Sequence, residues 1–161
     1  MAATTQAEPK LSDGLQALVD RTEIVELVGR YLASLDRARF DDDWARSLFI
    51  EDVEMTFPIG SHEGIDGLAE QHDKIMSKWD RTLHFSANHI VEVNGDEGTI
   101  RANLIGTHVH PEERGSEPLF VGELLHGDLV RTEDGWRFSK VRMDLVWRVG
   151  DPPPGVEVDE G

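Results

Sequence analysis

Apolar side chains recur at Ile24, Leu27, Val28, Tyr31, Leu32 and Leu35, the i, i+3, i+4, i+7 spacing of a helix with one buried face. Asp20 with Glu23 three residues on has the form of a capping box, which predicts that the helix starts there and that a separate short helix through Leu15, Leu18 and Val19 precedes it. Asp41-Asp42-Asp43 puts negative charge ahead of a second helix over 44–49. Glu51 to Phe57 alternates polar and apolar residues as a strand does, Gly60 to Gly64 reads as a turn, and a third helix is predicted over 65–78. From His84 the period changes to two. Strands are predicted over 84–93, 99–110, 120–132 and 136–147, joined by Asn94-Gly95-Asp96, a charged loop over 111–118, and Asp134-Gly135. Helices followed by a meander predict an α+β domain, with N-terminal helices packed on a curved, mainly antiparallel sheet. One domain over 13–149 would then lie between a loose tail, 1–12, and an acidic Pro-rich tail, 150–161.

The strand opening at Leu83 breaks the rule for a core strand. His84, Ser86 and Asn88 occupy its even positions, while the odd ones are mostly apolar. If the long helix crosses this strand, Tyr31, Asp36 and His84 share one cavity and form an acid–base site that needs no cofactor. Asp36 would orient His84 and stabilise its charged form, His84 would move the substrate proton, and Tyr31 would donate to a carbonyl oxygen. On the next strand Ala102, Leu104, Gly106, His108 and His110 share a face by alternation, so His108 can supply another polar group, while His110 borders the charged loop and is expected to be solvated. Trp44, Phe57, Met76, Trp79, Phe120 and Trp147 are expected to line an apolar binding site, with Asn88 beside them and Arg148 at its rim. The tripeptide His108-Val109-His110, near Glu112 and Glu113, has chelating spacing, but the glutamate and glycine that cupin sites place downstream are missing, so no metal is expected. His62, His72 and His89 have no evident partners.

Charge and composition narrow the function. Acidic residues outnumber basic ones 32 to 16, a net charge of -16, which repels phosphate backbones and anionic lipid and makes nucleic acid and membrane surfaces poor partners. No run of apolar residues is long enough to span a bilayer, and the N-terminus lacks the basic head and apolar middle of a secretory signal. The absence of cysteine excludes disulfides and thiolate chemistry and suits a cytoplasmic protein. No phosphate-binding glycine loop and no Gly-x-Ser-x-Gly elbow is present.

Several local patterns fall in a telling order. They are Arg30-Tyr31-Leu32-Ala33-Ser34-Leu35-Asp36, Leu48-Phe49-Ile50-Glu51-Asp52-Val53, Gly64-Ile65-Asp66-Gly67, Thr82-Leu83-His84, Asn88, and Asp128 to Phe138. Over roughly 15–147 the chain resembles the SnoaL-like branch of the nuclear transport factor 2 superfamily. The Tyr31, Asp36 and His84 set, with His108 as the match on the next strand, is most similar to the scytalone dehydratase and bile-acid dehydratase group. The second tyrosine of scytalone dehydratase has no counterpart, because Tyr31 is the one tyrosine in the chain. The resemblance implies a cone-shaped α+β barrel and a homodimer or homotrimer. It also implies a cofactor-independent dehydratase or cyclase acting on a hydrophobic carbonyl compound, such as a polyketide or polycyclic intermediate. A ketosteroid-isomerase-like double-bond isomerase and a non-catalytic binding module on the same fold remain open.

Overall fold

The structure, a computed structural model, describes residues 11–112, 115 and 117–158. The expected tail over 1–12 lies outside these up to residue 10; Leu11 and Ser12 are already helical. Glu113 and the last three residues of the acidic tail also lie outside the described residues.

Helix α1 runs unbroken over Leu11–Arg37, with Ile24, Leu27, Val28, Tyr31, Leu32 and Leu35 on its buried face. The two helices predicted here are therefore one. Asp20 is not a cap. It sits in mid-helix, 3% exposed, and its carboxylate accepts from Arg131 Nη1 and Nη2 at 2.8 and 2.9 Å, from Gln16 Nε2 at 3.0 Å and from Trp136 Nε1 at 3.3 Å. A side chain spent on distant strands leaves nothing for the local N–H groups that a cap must satisfy. Such a cap does start α2, Asp42–Leu48, where Asp41 Oδ1 accepts from the Trp44 backbone N–H at 2.7 Å.

Strand β1, Phe49–Phe57, pairs with a short β2, Gly60–Glu63, which the glycines had marked only as a turn. Helix α3 spans Leu68–Met76. Four long strands follow: β3 (Arg81–Asn94), β4 (Glu97–Val109), β5 (Leu119–Thr132) and β6 (Gly135–Val149). With β1 and β2 they form one six-stranded sheet in the order β2-β1-β6-β5-β4-β3, antiparallel except where β1 runs parallel to β6. The helices pack on its inner face around a core that includes Tyr31, Phe49, Leu104, Leu125, Phe138 and Val141. This is the cone-shaped α+β architecture. No helix among the described residues is long and apolar enough to cross a membrane.

Two of the register shifts in the sheet change which of the expected site residues face inward. In β3 the register slips between Ala87 and Ile90, with Asn88 in the left-handed region at φ 56°. In β6 it slips opposite Gly122 and Glu123, so that Leu145 pairs with Glu123 and Trp147 with Gly122, leaving Val146 over. One extra residue moves every later side chain to the other face. The outer face of β3 is notably apolar: Leu83 and Phe85 are 60% and 55% exposed, while Thr82, His84 and Ser86 point in toward α1.

Candidate active site

The last turn of α1 crosses the head of β3. There Asp36 Oδ1 lies 2.7 Å from His84 Nδ1, its Oδ2 accepts the His84 backbone N–H at 3.0 Å, and Thr82 Oγ1 donates to Oδ1 at 3.1 Å. A carboxylate held by one residue through both backbone and ring fixes that ring's orientation. It also fixes the tautomer: Nδ1 carries the proton toward Asp36, and Nε2 keeps its lone pair. Burial lowers the His84 pKa below the ordinary imidazole value, against the opposing pull of Asp36. The resting ring is therefore neutral, a base with a carboxylate waiting to stabilise its protonated form.

His84 lines a cavity of about 130 Å³ walled by α1, α3 and the inner face of β3–β6. Tyr31, Phe57, Met76, Trp79, His108 and Glu123 are among the other lining residues. His108 meets His84 edge to face, with ring centroids 4.9 Å apart. Gly106 makes this approach possible: a Cβ there would sit 3.0 Å from His108 Cε1, 3.2 Å from His84 Cδ2 and 2.9 Å from Val121. Burial and the adjacent His84 depress His108 to about 4, so its ring is neutral as well. Its Nδ1 is buried without a partner.

Tyr31 lines the cavity, but its proton is committed. His72 Nδ1 is 2.9 Å from the Leu68 carbonyl, which can only accept, so that nitrogen carries the hydrogen. Burial lowers His72 to about 4 and keeps the ring neutral, so Nε2 is an acceptor and the Tyr31 hydroxyl, 3.2 Å away, donates to it. In this state Tyr31 offers the cavity lone pairs rather than the hydrogen expected for a carbonyl. Burial and the nearby Glu123 charge raise the pKa of the phenol.

Glu123 was not anticipated. It is the one carboxyl among the described lining residues, on the inner face of β5 between Leu104 and Leu145. Burial alone pushes it up to about 7, and among the described residues no hydrogen bond or ion pair ties it down. Alternation could have found it, because Val121, Glu123 and Leu125 share a face and place an acid in an apolar row.

Other expected residues lie elsewhere. Trp44 packs behind the cavity against Phe40, Phe49 and His72. Asn88, turned out by its bulge, is exposed, as are Phe120 and Trp147, whose indole lies over Gly122 on the outer face. Arg148 does not line the cavity; Nη1 donates to the Gly150 carbonyl at 3.0 Å, bracing the turn out of β6. His110 is buried rather than solvated, with Nε2 3.1 Å from the Asp151 carbonyl. The segment after β6, expected to be a Pro-rich tail outside the domain, contributes Pro152, Pro153, Val156 and Val158 to the cavity lining. The indole of Trp79 lies against both His108 and His110, at 4.9 and 4.8 Å between centroids. Among the described residues no three His, Asp or Glu side chains are grouped to hold a metal ion.

The fold has many solved counterparts. A scytalone-dehydratase-like protein of Novosphingobium aromaticivorans superposes with a TM-score of 0.75 at 19% identity, covering 88% of this chain and 94% of that one. The type 3 LinA hexachlorocyclohexane dehydrochlorinase of Novosphingobium barchaimii gives 0.72 at 20% identity, with 89% and 97% covered. In sequence, an uncharacterized protein of Mycobacterium tuberculosis is 31% identical over 126 residues, 75% of this chain and 82% of its own length. The SnoaL-like domain family matches residues 16–142, nearly the whole of the helix-and-sheet body, and the chain belongs to that family.

Proposed function

We propose that the protein is a lyase that eliminates water from a hydrophobic, carbonyl-bearing small molecule by acid–base chemistry of its own side chains. The observation that carries this reading is the 2.7 Å contact between Asp36 and His84 at the wall of an apolar cavity. His84 Nε2 takes a proton from the carbon next to the carbonyl, and the imidazolium formed is stabilised by Asp36, which is fixed in place by three hydrogen bonds. The fold neighbours named for a dehydratase and a dehydrochlorinase, reactions that remove a proton and a leaving group, support the same class.

Cavity size limits the substrate. An apolar cavity of about 150 Å³ accommodates one benzene, so about 130 Å³ suits a single ring better than the polycycle that the sequence suggested. The Tyr31 oxygen, with its own hydrogen given to His72, would accept a hydrogen bond from a hydroxyl group on that ring.

The test is mass spectrometry of cyclic β-hydroxy ketones incubated with the protein. Loss of one water, abolished in His84→Ala, is the expected result. A product of unchanged mass would assign an isomerase, and binding without conversion would assign a ligand-binding module.

A further inference from the structure

We infer that Glu123 is the acid that protonates the departing hydroxyl of a single-ring β-hydroxy carbonyl substrate, from a position two strands along the inner face of the sheet from the base His84. This rests on the elimination reading above and extends it to the second half of the reaction. His84 pairs with Gly106, Gly106 with Val121, and Glu123 is the next inward residue along β5. The two groups are thus two strands apart and one inward position offset, roughly 12 Å between Cα atoms at the usual strand spacing and rise. Both side chains line one cavity, whose volume of about 130 Å³ suits a single ring.

Tyr31, His72 and His108, which also line the cavity, are poorer acids. The Tyr31 proton is held by His72. His72 and His108 are neutral imidazoles because burial keeps both near 4. Glu123, raised to about 7 by burial, retains its acidic proton in a large fraction of molecules at neutral pH. Among the described residues no hydrogen bond or ion pair holds the Glu123 carboxyl, so its proton can be given to a ligand.

The reaction balances on these residues. His84 Nε2 takes the proton from the α-carbon, and the C–H electron pair becomes the new C=C π bond by way of the enolate. The Cβ–O bond breaks with its pair on oxygen, which takes the Glu123 proton and leaves as water. The imidazolium proton then returns to the Glu123 carboxylate through the released water.

Leaving-group dependence tests the assignment. The probes are β-hydroxycyclohexanone, whose hydroxyl must be protonated to leave, and its β-acetoxy ester, whose acetate leaves without a proton. Glu123→Gln should lose at least about 100-fold on the hydroxyl compound and stay within a few-fold of the parent on the ester. Glu123→Asp, which keeps the acid but withdraws it by a methylene, should show a smaller loss with the same selectivity. His84→Ala should lose both reactions. Equal losses on both compounds in the Glu123 variants, or no loss on either, would overturn the role of Glu123 while leaving the base intact. Turnover of neither compound by the parent protein, or undiminished rates in His84→Ala, would instead overturn the elimination reading and this assignment with it.

Discussion

Asp20 and Asp36 are two aspartates on one helix, and their surroundings give them opposite uses. Asp20 is saturated: the Arg131 guanidinium grips both oxygens, and Gln16 and Trp136 add further donors. Arg131 also stacks over Trp136, 4.5 Å from the ring centroid. A guanidinium stays charged at any working pH, so the pair pins α1 to the far end of β5 and β6. The main partner of Asp36 is a histidine, whose charge can come and go and whose second nitrogen belongs to the cavity. A carboxylate clamped by a permanent cation is structure; one clamped by a titrating cation can take part in proton transfer.

The comparison breaks most sharply at the catalytic end. Replacing His84 by Ala, or Asp36 by Asn, should lower the elimination rate by roughly 10³-fold, about 4 kcal/mol of barrier, with little change in melting temperature. The reverse is expected at the other end. Asp20→Asn leaves Arg131 facing a neutral group and should cost about 2 kcal/mol of stability, a fall of roughly 5 °C by calorimetry. The rate per folded molecule should not change.

Acid should separate the two ends further. The folded pKa values of His72 and His108, about 4, lie below the unfolded value near 6.5, so the stability they contribute is complete above about pH 6.5. It is lost as pH falls toward 4, because only the unfolded chain accepts those protons. Asp20, held below the ordinary carboxylate range chiefly by hydrogen bonds from Arg131, keeps its contribution until still lower pH. Thermal melts should therefore weaken first between pH 6.5 and 4, and Asp20→Asn should flatten only the steeper fall beneath. Glu123 has the opposite sign. Its folded pKa of about 7 exceeds the unfolded one, so its contribution is complete below about 4.5 and lost as pH rises through 7. At pH 8 Glu123→Gln should melt higher than the parent, and at pH 4.5 the gap should close. The smallest effect is expected for Gly106→Ala, whose methyl pushes His84 and His108 apart. A loss of rate of about tenfold, without loss of secondary structure by circular dichroism, would sharpen the contrast.

Much of this was legible in the chain. The 3.6-residue period of the long helix and the two-residue period after His84 predict both layers, because burial of one face leaves a mark on sequence. Tyr31 and His84 could be placed in one cavity, and Asp36 beside it, by asking where polar residues interrupt that mark. Asn88 and Trp147 were misplaced for one shared reason. Each follows a strand's inward alternation up to a bulge, and a single extra residue, unmarked by composition, reverses the phase. Asp20 was misread because a capping box and a long-range ion pair use the same residue types. The His72 partnership needed the tertiary fold, since α3 meets Tyr31 across 41 residues of sequence. Nothing in the Pro-rich composition of the C-terminal segment distinguishes a free tail from one that lines a cavity.

Tyr31, the one tyrosine in the chain, stands at the cavity with its phenol fully shielded and its hydrogen engaged by His72. Ultraviolet absorbance at alkaline pH therefore reports on a single, known place in the molecule. The tyrosinate band should stay silent in the native protein well past the pH at which free phenols ionise, then rise abruptly as the chain opens. The cavity thus carries a built-in optical marker of its own integrity, readable without label or substrate.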